Sequence, residues 1–156
     1  MRRFASDTKV DESVSRMEIE KLVKRNGASR FASSWEPAGS VIAFEIGGRQ
    51  IKFVLPMPDP KAREFTHTPE RGALRSDASR QATYDQAVRT RWRALLLIIK
   101  AKFEAIAAGV TTVEDEFLSA TVNPDTGRTV GEEIQGQITT AYRVGGSGPL
   151  LIGRPR

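Results

Sequence analysis

From Asp77 the chain runs to Gly109 without a proline or a glycine, and this stretch constrains the fold more than any other. Tyr84, Val88, Trp92, Leu95, Ile99, Phe103 and Ile106 recur at steps of four or three, one stripe of a 3.6-residue period. Leu96, Leu97 and Ile98 widen the stripe until the middle of the segment is apolar nearly all round, which predicts a helix buried on more than one side. Arg89, Arg91 and Arg93 precede that middle and Lys100 and Lys102 follow it, so it is too short to cross a membrane. Ser76 or Asp77 supplies an N-cap, and Gly109 suits the left-handed residue beyond the last turn. A chain with such a rod must wrap it with other elements.

Those elements are legible on either side. Ser15-x-x-Glu18 has the form of a capping box, with Val14 and Ile19 placed as a hydrophobic staple, and Ile19, Leu22 and Val23 give a short apolar face ending at Asn26-Gly27. Arg30 to Glu36 follows as a strand with Phe31, Ser33 and Trp35 on one face. SVIAFEI and RQIKFVL flank Gly47-Gly48, a two-residue hairpin turn that sets Ile46 against Arg49, Phe44 against Ile51 and Ile42 against Phe53. The large apolar residues except Val41 and Val54 then share one face, and Glu45, Gln50 and Lys52 occupy the other. Pro56 to Arg75 is proline-rich and irregular, with a helical turn in prospect at Lys61 to Phe65. Thr111-x-x-Glu114 opens a short helix, and Ser119–Asn123 and Arg128–Val130 flank Pro124-Asp125-Thr126-Gly127 as a second hairpin that extends the main sheet or stands alone. Thr129-x-x-Glu132 begins a final helix through Tyr142 with Ile134, Ile138, Ala141 and Tyr142 apolar. The expectation is one α+β domain over residues 13–144: a three-stranded antiparallel meander on a long central helix, with a small hairpin and flanking helices. Residues 1–12 and 145–156 read as flexible ends.

The chemistry on offer is limited. The chain has no cysteine and one histidine, His67, which removes thiol catalysis, disulfides and cysteine-ligated zinc. The glycines follow no phosphate-loop or dinucleotide spacing. Glu114, Asp115 and Glu116 sit where a helix N-terminus favours acids without any metal, so neither metal nor cofactor is expected. A nuclease built from carboxylates on separate strands stays open. The first residues lack the apolar core of a secretory signal. Charge is unevenly spread: residues 1–110 carry 20 Lys and Arg against 13 Asp and Glu, whereas residues 111–144 carry two against six.

A basic body beside an acidic segment suits a non-enzymatic protein that contacts nucleic acid. The candidate phosphate contacts are Arg49 and Lys52 on the wet sheet face, Arg63, Arg71 and Arg75 on the irregular loop, and Arg89 and Arg93 on the rim of the central helix. The same rim arginines also suit snorkelling beside a buried stripe. Trp35 and Trp92 read as core, and Trp35 would stack on a base only if exposed. Two other readings fit. One is a protein that docks on a protein partner, or as a homodimer, through the acidic 111–144 segment and the apolar Leu150-Leu151-Ile152 tail. The other is a small-nucleotide pocket between sheet and loop.

Arg91 to Leu118, RWRALLLIIKAKFEAIAAGVTTVEDEFL, with the later NPDTGRTVGE, resembles a group of small uncharacterised proteins encoded in tailed-bacteriophage and prophage genomes. The matching positions are mostly core, cap and turn residues, so the resemblance transfers no functional residues. It implies a setting, a phage protein in a bacterial cytoplasm with a host or virion protein as a possible partner.

Overall fold

The computed structural model of the protein describes residues 11–145. The expected flexible ends, with Leu150-Leu151-Ile152, fall almost entirely outside them. In chain order come α1 (Glu12–Arg25), β1 (Arg30–Glu36), β2 (Gly39–Ile46), β3 (Arg49–Leu55), the one-turn helix α2 (Arg63–Thr66) and the long helix α3 (Asp77–Ala107). The one-turn helix α4 (Val113–Glu116), a 3-10 turn (Leu118–Ala120) and α5 (Val130–Gly145) complete the described residues. The architecture is α+β as expected. The sheet is antiparallel in the order β1-β2-β3, and its hairpin pairs Ile46 with Arg49, Phe44 with Ile51 and Ile42 with Phe53.

The central helix has 31 residues, about 46 Å at 1.5 Å per residue. Ser76 caps it by accepting from Ser79 N at 3.2 Å. At the other end Gly109, with φ +73°, lets its own N–H reach Ile106 O and Val110 N reach Ala105 O, both at 3.0 Å. Val88, Trp92, Leu95, Leu96, Ile99 and Phe103 are buried. The all-round burial expected of its middle is not found: Ile98 is half exposed, because sheet and α1 cover one side of the helix and leave the other to solvent.

The core lies between that helix, α1 and one sheet face. Ile19, Leu22 and Val23 of α1 join Ile42, Phe44, Ile46 and Ile51 of the sheet in one buried cluster with the α3 stripe. Phe117 closes it. This ring is fully buried, edge-on to Phe44 (5.7 Å between centroids) and Phe53 (6.2 Å) and tilted against Phe103 (5.2 Å). One side chain thus ties the acidic segment to both layers. Beyond it, Val122 N donates to Gln50 O at 2.8 Å and Thr121 bridges Ile51, so the second hairpin extends the free edge of β3. That hairpin is held by a single bridge, Val122 to Thr129, rather than by regular strands, and Ser119 belongs to the 3-10 turn.

Four local expectations are corrected. The first helix starts four residues earlier than the Ser15 box implies: Asp11 is the N-cap, accepting from Ser13 N at 2.8 Å, while Ser15 lies buried in the first turns with an unpartnered hydroxyl. The cap of α4 is Thr112, not Thr111, accepting from Asp115 N at 3.2 Å. Trp35 is not core but 87% exposed, because β1 is an edge strand on which only Phe31 is even half-buried. Arg49 does not share the wet face with Lys52. Its partner across the turn is Ile46, and directly opposed residues share a face, so it lies on the Ile46 side at the hairpin tip.

Candidate anion-binding cleft

The irregular loop is ordered by one apolar anchor. Phe65, buried on α2, sets its ring edge-on to Tyr84 of α3 at 5.5 Å and pins the loop to the start of the long helix. Past that anchor the chain doubles back. Thr68 N donates to Ala73 O at 2.8 Å, Gly72 N to Thr68 O at 3.0 Å and Arg75 N to Thr66 O at 2.9 Å, with a bridge between His67 and Leu74. The tight return uses Gly72 at φ +60°, and a side chain there would meet the Arg63 guanidinium at 3.2 Å.

This fold-back brings Arg63, His67, Arg71 and Arg75 around one open cleft of about 630 Å³ with Thr68 and Glu64. Arg75 is fixed by neutral oxygens: its Nε donates to His67 O at 3.0 Å and its Nη1 to Ser79 Oγ at 3.3 Å. It therefore keeps its full charge while held rigid. Arg63 and Arg71 are exposed and form no ion pair among the described residues. The His67 Nδ1 lies 2.8 Å from Thr66 Oγ1, which leaves Nε2 as the ring nitrogen without that contact. Two unpaired guanidinium groups and the anchored Arg75, with Glu64 the one carboxylate in the lining, make a cleft that suits a phosphate or a carboxylate.

The other candidate residues lie elsewhere. Arg93 is paired with Glu18 of α1 at 3.2 Å and so serves the α1–α3 contact, whereas Arg89 donates to Gln86 Oε1 of its own helix at 2.8 Å. Lys52 stands beside Glu132, on the outer sheet face that also carries Arg30 and Glu45. The Glu132 carboxyl is held below its ordinary range chiefly by the Thr129 backbone N–H, helped by the Thr129 hydroxyl and the charges of Lys52 and Arg128. That box is reciprocal, Thr129 N to Glu132 Oε2 at 2.7 Å and Glu132 N to Thr129 Oγ1 at 3.2 Å, as the sequence implies. Of the three acids before Phe117, Glu116 is taken by Lys102, whose Nζ reaches its carboxylate at 3.1 Å and its carbonyl at 2.9 Å.

A second basic groove escaped the sequence reading. Lys21 and Arg25 of α1 line it with Arg93 and Lys100 of α3 over a floor of Leu22, Leu96 and Leu97. The signal was present as i,i+4 and i,i+7 spacings, but only the parallel docking of α1 beside α3 joins them. No family model, no curated protein and no solved structure matches the chain.

Proposed function

We propose that this chain is a non-enzymatic, phage-type binding protein that engages the phosphate backbone of nucleic acid, with Arg63, Arg71 and Arg75 as its principal contacts. The observation that carries the reading is the convergence of these arginines with His67 on one open cleft, with Glu64 the single carboxylate in its lining. The basic groove between α1 and α3 adds Lys21, Arg25 and Lys100, none of them ion-paired among the described residues. Such contacts position a nucleic acid without reading its sequence. Fluorescence anisotropy with labelled single- and double-stranded DNA and RNA at low ionic strength tests it. Binding that weakens steeply with added salt is expected; absence of binding to every probe refutes it.

A second reading is favoured by α5. Ile134 and Ile138 are 43% and 49% exposed and Tyr142 73%, an apolar stripe at helical spacing that no described element covers. On that reading the acidic 111–144 segment docks on a host or virion protein. Capture from bacterial lysate with and without nuclease separates the two, since a nucleic-acid tether is lost on digestion and a protein partner stays.

A further inference from the structure

We propose that two copies of this chain associate through β1, pairing antiparallel about a two-fold axis at Ser33 to make one continuous six-stranded sheet. β1 is an edge strand, and six of its seven residues are exposed. The hairpin turn fixes which backbone groups are spent. Ile46 and Arg49 close a two-residue turn, so the even residues of β2 bond β3 and its odd residues bond β1. Consistent with that, Glu45 O accepts from Ser29 N at 2.9 Å on the β1 side, and Gln50 O points off the far edge to Val122 N at 2.8 Å. Arg30, Ala32, Ser34 and Glu36 therefore direct their N–H and C=O at β2. Phe31, Ser33 and Trp35 direct theirs outward.

An outward edge of this kind is a template for another strand, and proteins ordinarily blunt it with central charges, proline or a bulge. β1 has none of these between its ends: Phe31 to Trp35 is uncharged, and Arg30 and Glu36 flank it. Those two ends select the partner. A second copy of β1 centred on Ser33 sets Ser33 against its own counterpart as a bonded pair. It sets Phe31 against Trp35 of the other copy, again with outward backbone groups on both, and Arg30 against Glu36. Every match occurs twice by symmetry, as an isologous contact requires. The aromatic pairs lie on the helix-covered side of the sheet, where Phe31 is half-buried and Trp35 is 87% exposed, so each Trp35 gains a ring to cover. Glu36 has no ion pair among the described residues, and Arg30 holds Glu45 only at 3.8 Å with its side chain 76% exposed.

The test uses the full chain. Sedimentation equilibrium is expected to give twice the 17.2 kDa chain mass at micromolar concentration. Glu36→Arg and Arg30→Glu each put like charges at both ends of the paired strands, so each alone is expected to raise the dimer Kd about tenfold or more. An equimolar mixture of the two variants restores opposite charges at both ends and is expected to recover the dimer. Ser33→Cys reports the register: the chain has no cysteine of its own, and residues facing across a bonded antiparallel pair are about 5.5 Å apart, within disulfide reach. Air oxidation is expected to cross-link Ser33→Cys quantitatively and a control Arg49→Cys little. A monomeric wild type, single variants that dimerise like wild type, a mixture that stays monomeric, or equal cross-linking of the two cysteine variants would each overturn the proposal. Circular dichroism of each variant establishes that it is folded before it is scored.

Discussion

Replacing Ser15 by alanine is expected to stabilise the protein, the opposite of what its S-x-x-E context suggests. As a helix N-cap, Ser15 would lose about 1 kcal/mol on truncation. The structure gives that role to Asp11 and buries Ser15 completely, with an Oγ that finds no hydrogen-bond partner. A buried unpaired hydroxyl costs roughly 1–3 kcal/mol in lost hydration. Alanine also gains about 0.5 kcal/mol of helix propensity over serine. The void left by one oxygen, on the order of 10 Å³, returns only about 0.2 kcal/mol of that gain. The net expectation is about 1–3 kcal/mol in favour of the variant, or roughly 3–13 °C in melting temperature for a domain of this size. Urea and thermal unfolding followed at 222 nm measure it directly. A variant less stable than wild type by about 1 kcal/mol would refute the assignment of Asp11 as cap and of Ser15 as an unsatisfied core residue.

Phe117→Ala is expected to cost about 4–5 kcal/mol, since it empties a fully buried ring site and removes three aromatic contacts, and urea unfolding reads it out. The carboxyls of Asp11, Glu132 and Glu133 are all lowered, chiefly by hydrogen bonds from Ser13, Thr129 and Thr126 respectively. Folded values below the ordinary 3.8 and 4.5 mean that their stabilisation is complete above the ordinary value and is lost as pH falls through the folded one. The urea midpoint should therefore hold from pH 7 to about 5 and drop below about 4.5. Asp11→Asn keeps the capping acceptor and should flatten its share of that drop.

Features set by local chemistry were legible in the sequence. The α3 stripe, the Gly47-Gly48 register and the Thr129–Glu132 box each depend on residues within a few positions, and all appear as expected. What failed depended on the ends of elements or on packing between them. Asp11 and Ser15 both precede an apolar run at plausible spacing, and only burial tells a cap from a core position. Trp35 has the alternation of a core-facing residue, but β1 is an edge strand left exposed at every residue except Phe31. Charge and position along the chain single out the arginines but do not say which of them meet. The fold-back at Gly72 gathers Arg63, Arg71 and Arg75, whereas α1 packing turns Arg93 to Glu18. Spacing along each helix places Lys21 with Arg25 and Arg93 with Lys100, but it carries no mark of the α1–α3 docking that joins the two pairs into a groove.

The most direct test of the account is the salt dependence of nucleic-acid affinity for the wild type and for a variant carrying Arg63→Gln and Arg71→Gln. Each phosphate contact adds about 0.9 to the slope of log K against log salt for duplex DNA. If these two side chains meet phosphates, the variant's slope should be shallower by about 2, with weaker binding at every salt concentration. Equal slopes and equal affinities for the two proteins would contradict the placement of a phosphate-binding site in the α2 cleft.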